Sequence, residues 1–208
     1  RSQNVIQFVR ATQEIMEKEG IKKVSIRKIA AVSGFHNSTI YLYFKDLDEL
    51  IMLSSIRHFQ KYSSDLEKLS NRHVDAYENF FAIWEYFADS AFQYSCVFYN
   101  FFFGKYSDDL TVFLNRYYDL FPEEKSALSE EIEAMYLGRN YQERCMKILA
   151  PLIGDPRTRV TKENAEIVND ISVCFCMDLL NKKCANPKMD NEVLKKHMMD
   201  MLRFIIEK

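Results

Sequence analysis

Glycine and proline are scarce. The 208-residue chain holds five Gly and four Pro, roughly a third of the usual combined share of about 12%. That shortage argues against a turn-rich β-sandwich or barrel. Long hydrophobic runs are absent too. No apolar stretch reaches the roughly 18 residues that a membrane-spanning helix needs. The opening residues lack the basic-then-apolar pattern of a secretory signal, so a cytoplasmic protein is expected. The first residue is Arg1 rather than Met, so a few leading residues are expected to precede it. Cysteine is present without a framework. Five Cys at scattered spacings, with no CxxC pair, predict free thiols in a reducing compartment.

What is present points to a folded helical chain. The hydrophobic fraction of 48% excludes disorder. The length suits one or two domains, large enough to bury about 70% of the unfolded surface without metal or disulfide. Net charge is −2, which alone speaks against nucleic acid. Its distribution reverses that. Residues 1–62 carry 10 Lys/Arg against 6 Asp/Glu, whereas the remainder carries 18 against 24. A basic head on an acidic body is the footprint of a chain that meets polyanions at one end.

The punctuation is helical throughout. Gly20 follows an apolar stripe of Ile6, Val9, Ile15 and Met16 and reads as a C-terminal cap. Ser25 is a suitable N-cap for a short helix carrying Ile26, Ile29 and Ala30. Ser33-Gly34 breaks it, and a second short helix follows over about Asn37 to Phe44. Asp46 then caps a longer helix with Leu50, Leu53 and Ile56. Further helices follow around Tyr77–Ala88, Val97–Phe103 and Ser107–Leu120. A single long helix is predicted from Pro122 to about Leu149, with Gly138 inside it as a kink or a close packing point. Gly154-Asp155-Pro156 is a loop. One helix then starts at Thr161, and a last one follows Asn186-Pro187.

Two helices too short to stand alone, joined by a Gly-containing turn, form a helix-turn-helix signature. Ile26, Ile29, Ala30, Phe35, Ile40 and Phe44 can pack the pair on the first helix. The second short helix offers His36, Asn37, Ser38 and Thr39 at its N-terminal end, short polar groups suited to base edges. Tyr41, Tyr43 and Lys45 can hold phosphates. Ser25 and Arg27 open the preceding helix, which should cross the DNA backbone.

From about Phe8 to Leu50 the chain resembles the TetR/AcrR family of bacterial one-component regulators. The resemblance lies in the Gly20 cap, the run Ser25-Ile-Arg-Lys-Ile-Ala-Ala-Val-Ser-Gly34, Ser38-Thr39-Ile40-Tyr41, Tyr43-Phe44 and Glu49-Leu50. It implies DNA contacts from Ser25, Arg27, Asn37, Ser38, Thr39, Tyr41, Tyr43 and Lys45. One departure is Leu47, where the family usually has Lys; neighbouring Lys45 is the candidate replacement. The resemblance also implies an all-α fold. The expected architecture is about nine helices: a three-helix helix-turn-helix domain over 1–46, then a helical ligand-binding and dimerisation domain over 47–208.

Beyond residue 50 the resemblance is one of architecture only. Seventeen of the 29 aromatic residues fall between Phe80 and Phe121. Such concentration suits either a large apolar ligand or a merely aromatic core. The first option predicts a cavity lined by Phe81, Trp84, Phe98, Phe102, Tyr117 and Tyr136, with Cys174 at its wall and Asn140 and Arg144 as polar groups. It would take an apolar or amphipathic small molecule. In the family the last two helices pair with a second subunit. Here they carry Ile167, Ile171, Cys174 and Phe175 on one, and Leu194, Met198, Met201 and Ile205 on the other.

Other chemistry has little support. Cys174 and Cys176 point to opposite sides of a helix. His36, His58, His73 and His197 show no ligand spacing. No nucleophile motif, phosphate-binding Gly loop or carboxylate pair is present, so no cofactor, metal or catalysis is expected. Two functions remain. The first is a homodimeric regulator, expected to act as a repressor on a palindromic double-stranded DNA operator and to be released by its ligand. The second is a protein-binding adaptor or co-regulator of the same fold without specific operator binding.

Overall fold

The computed structural model describes residues 2–208, and within them it is all-helical. Eleven α-helices follow one another: α1 Ser2–Glu19, α2 Ile26–Ser33, α3 Leu47–Ser55, α4 Gln60–Ser70, α5 Ala76–Gln93, α6 Ser95–Phe103, α7 Leu110–Leu120, α8 Glu130–Tyr136, α9 Tyr141–Leu149, α10 Ala165–Ala185 and α11 Asn191–Ile206. The only strand-like pairing among these residues is one antiparallel bridge, Thr158 with Glu207.

The caps explain most boundaries. Gly20 ends α1 at φ 86°, and Gly34 ends α2 at φ 75°, its N–H bonded to Ala30 O. Both positions lie in the left-handed region that glycine enters without steric cost. Ser25, Asp46, Asp75, Asn140 and Asp190 each accept a backbone N–H at the start of a helix, satisfying a donor that has no intrahelical partner.

Two expectations are corrected here. The long helix over 122–149 is three pieces: a 3-10 turn at Pro122–Glu124, then α8, then α9. Asn140 caps a fresh start. Gly138 lies at the break, where a Cβ would come within 2.7 Å of Arg144 Cγ, so it is a close packing point. The second correction concerns thiols. Cys96 and Cys184 form a disulfide between the first turn of α6 and the last turn of α10, with Cα atoms 4.9 Å apart. Cys145, Cys174 and Cys176 are free.

The core runs without interruption from the head to the last helix. In the head, the Phe8 ring of α1 packs at a tilt or edge-on against Phe35, Tyr43 and Phe44, with Ile29, Ile40 and Leu50 fully buried around them. α3 packs on α1 and also on α6 and α7, so it belongs to head and body at once. A 3-10 turn at Ile56–Phe59 links α3 directly to α4. α10 lies along α6 and α9, and α11 along α5.

Candidate DNA-facing head and effector core

The second helix of the helix-turn-helix is a 3-10 helix, Asn37–Leu42, rather than an α-helix to Phe44. His36 caps it: its Nδ1 accepts from Ser38 N at 3.3 Å and lies 2.8 Å from Ser38 Oγ. Ile40 is the residue this helix buries. His36, Asn37, Ser38 and Tyr41 face outward, as do Arg27 and Lys45. Thr39 and Ser25 are half-buried, and Ser25 Oγ is engaged as the cap of α2. Tyr43 is half-buried against Phe8, and its hydroxyl accepts from Asn4 Nδ2 at 2.8 Å. Leu42 was missed by sequence reasoning. It is 68% exposed beside Tyr41, an apolar group of the kind that meets thymine methyls.

The head is tied to the body through the start of α3. Asp46 caps α3 and also accepts from Lys105 Nζ at 2.7 Å and Tyr106 Oη at 2.8 Å. Burial pushes the Asp46 carboxyl up, but the hydrogen bonds from Lys105, the Glu49 N–H and Tyr106 outweigh it and hold it at about 2. Glu49 pairs with Arg116 at 2.8 Å, and the Arg116 guanidinium lies 5.0 Å from the centre of the Phe44 ring. A second link is buried. Gln13 of α1 donates to Ser54 O and to the Tyr117 hydroxyl, which donates on to Glu124. Arg10 pairs with Glu124 at 3.0 Å. These partners lie far apart in sequence, so single-residue patterns carried no sign of them.

The seven residues expected around a ligand do not line one cavity. Phe98 and Phe102 interlock with Phe59 and Phe87, ring centres 4.7 to 5.6 Å apart. Tyr117 is turned toward α1 by its bonds to Gln13 and Glu124. Phe81 packs under the Arg203 guanidinium at 4.6 Å. Tyr136 joins Tyr118, hydroxyl to hydroxyl at 2.9 Å. Cys174 is exposed. Edge-to-face packing lets aromatic rings fill their own space, so the cluster is chiefly core. Trp84 alone of the seven lines a small internal cavity of about 20 Å³, with Tyr62, Ile83, Phe87, Tyr141 and Arg144.

The last two helices carry two apolar faces each, and the expected list mixed them. Leu194 and Met198 are buried with Leu202 in the protomer's own core, because that stripe of α11 packs on α5. They cannot reach a partner subunit. The outward residues are Ile167, Ile171, Cys174 and Met177 on α10, and Val193 and Phe204 on α11, the last 78% exposed. Phe175, Met201 and Ile205 are half-buried. Phe175 meets His197 across the seam at 5.1 Å between ring centres.

Residues 8–52 match the family model described as bacterial regulatory proteins, tetR family. The chain carries a tetR-family N-terminal domain. The chain is also similar to a curated relative, an uncharacterized HTH-type transcriptional regulator of Haemophilus influenzae, 33% identical over 79 residues. That match takes in 38% of this chain and 42% of the relative, so the chain spans less than half the length of the curated protein it matches. Solved structures extend the likeness to the whole fold. RolR bound to resorcinol superposes with a TM-score of 0.59 at 13% identity, over 96% of this chain and 87% of RolR. The transcriptional regulator FadR of Bacillus subtilis, solved with stearoyl-CoA, gives 0.56 at 15% identity, over 95% and 96%. At such identities the likeness is one of fold. It places the tetR-family head on a helical body of the same architecture. No helix among the described residues is long and apolar enough to cross a membrane.

Proposed function

We propose that this chain is a homodimeric transcriptional regulator of the tetR family, a repressor that binds a palindromic operator and leaves it when an amphipathic small molecule enters the body. The observation that carries this reading is the head. An outward row of His36, Asn37, Ser38, Tyr41 and Lys45 stands on the helix-turn-helix, and that helix-turn-helix is pinned to the body by Asp46 and Glu49. α3, the 3-10 turn at Ile56–Phe59 and α4 follow one another without a loop from Leu47 to Ser70. A 3-10 segment inside a helix is a common hinge. Tyr62 of α4 lines the small cavity, so a ligand that moves Tyr62 acts on the helical segment that joins head and body. Only a ligand favouring the non-DNA conformation acts in this way. The ligands of RolR and FadR, resorcinol and stearoyl-CoA, support a body that takes small molecules.

A mobility shift on the DNA upstream of its own gene tests the head. Lys45→Ala should weaken binding to every sequence alike, because a phosphate contact carries no sequence information. Asn37→Ala should relax preference at one or two base pairs, by about 1–3 kcal/mol each. Unchanged affinity in both variants would overturn the assignment and favour the adaptor.

Dimerisation is assigned to the outward faces of α10 and α11, where two copies would form a four-helix bundle with two-fold symmetry. Two-fold operators call for two-fold proteins. The double variant Ile171→Glu/Phe204→Glu should run as a monomer in light scattering and keep its helical signal, since neither side chain serves the protomer's core. A dimer that persists would put the interface elsewhere.

A further inference from the structure

Arg144 is 3% exposed, yet it makes no ion pair among the described residues. A buried cation without a counter-charge is rare, because desolvation is costly unless a partner offsets it. Its guanidinium donates to Tyr136 O, the last turn of α8. It also lies 5.1 Å from the ring centres of Phe102 and Tyr136. Besides that carbonyl and the two ring faces it meets the Tyr62 hydroxyl, so its partners are neutral groups and none supplies a counter-charge. Nearby acidic groups offer no relief. Burial pushes the Tyr62, Tyr136, Tyr141 and Cys145 protons to hold above their ordinary range, and Cys176 up to about 12, so none is an anion at neutral pH.

A neighbouring group in the same place has no hydrogen-bond partner at all. Trp84 is 2% exposed, and its indole N–H is buried with no acceptor. Trp84 and Arg144 both line the cavity of about 20 Å³ between α4, α5, α8 and α9. That volume holds little more than one water-sized group. Next to it lies a groove of about 410 Å³, apolar along Leu69, Val74, Ile83, Ile132 and Ile148 and polar where Glu131 and Lys147 line it. Ile83 and Ile148 belong to both cavities. They lie between the groove and a buried place that holds a guanidinium without a counter-charge and the unpaired Trp84 N–H.

We propose that groove and cavity are one binding site for a carboxylic acid with an apolar tail, its carboxylate seated on Arg144 and the Trp84 N–H and its tail lying in the groove. Entry requires Ile83 and Ile148 to change rotamer. The carboxylate supplies the missing counter-charge in a desolvated place, where charge-assisted bonds are strongest. A neutral molecule of the same shape supplies none. This site deepens the effector reading above and rests on it for any consequence at DNA.

The test uses sodium decanoate below its micelle concentration and 1-decanol as the neutral twin. Both are titrated into the full-length protein and followed by fluorescence of Trp84, the chain's single tryptophan. Decanoate should bind saturably and at least tenfold more tightly than decanol. Arg144→Met should abolish that preference, with calorimetry as readout, and Trp84→Phe should weaken decanoate while leaving decanol unchanged. If Arg144→Met fails to fold, the acid-to-alcohol comparison on the wild type still decides. Equal affinity for both twins, or no binding of either, overturns the site. A mobility shift separates the two readings. Decanoate that occupies the site without releasing operator DNA overturns the effector reading and leaves the site standing. Decanol that releases operator as well as decanoate does so overturns the site and leaves the effector reading.

Discussion

Phe102→Ala should cost about 3–5 kcal/mol of stability, the usual loss for truncating a fully buried ring. Phe102 sits at the centre of the aromatic cluster. Its ring centre is 4.8 Å from Tyr141, 5.1 Å from Phe101, 5.4 Å from Phe87 and 5.6 Å from Phe59. These neighbours come from the Ile56–Phe59 turn, α5, α6 and α9, so collapse to fill the space would need four elements to shift together. Poor collapse places the cost toward the upper end of the range. The Arg144 guanidinium would lose one of its two ring faces as well. For a chain of this size each kcal/mol moves the melting temperature by about 2–4 °C, so the variant should melt at least about 6 °C lower. Urea unfolding with an unchanged slope would assign the loss to the native state. A fall of less than about 2 °C would mean that the rings are loosely arranged around empty space.

That variant also marks what could be read in the residues alone. Caps are local chemistry, so Gly20, Ser25, Gly34 and Asp46 stood out from their neighbours in the chain, and each sits where it was expected. The head followed from them, since its pattern spans fewer than fifty residues. The aromatic concentration was equally plain. Whether rings face a void or one another is decided by how four elements come together, and no spacing within one helix records that. Phe98 and Phe102 share a helical face whether that face lines a ligand or meets Phe59 and Phe87.

The terminal helices pose the same problem in another form. Leu194, Met198 and Leu202 make one stripe of α11, while Val193 and Phe204 stand on the other side. Both sides are apolar enough to be buried, and only the packing of α11 on α5 tells them apart. The joint between head and body is the least legible part. Asp46, Glu49, Lys105 and Arg116 look like ordinary solvated charges one by one. They become a joint when the fold brings α3 beside α6 and α7. Gly138 and Asn140 did carry a local signal for the break between α8 and α9. It is the close approach of Gly138 to Arg144 that fixes its meaning.

Reducing the Cys96–Cys184 bond should lower the unfolding free energy by about 3–5 kcal/mol. The two cysteines are 88 residues apart. Closing a loop of that length removes chain entropy from the unfolded state worth about 4.6 kcal/mol at 25 °C. The folded state has little to lose, because α6 and α10 already pack along each other. The bond therefore acts on the unfolded chain, and that has a second consequence. A reduced chain exposes more surface when it unfolds, so the slope of stability against urea should steepen on reduction while the native helical signal stays the same. The double variant Cys96→Ser/Cys184→Ser should reproduce both changes without reductant. Cys174→Ser should change neither, since that thiol is exposed and unbonded. A loss below about 1 kcal/mol with an unchanged slope would overturn the loop-entropy account, because it would show that the unfolded chain keeps α6 and α10 together without the bond.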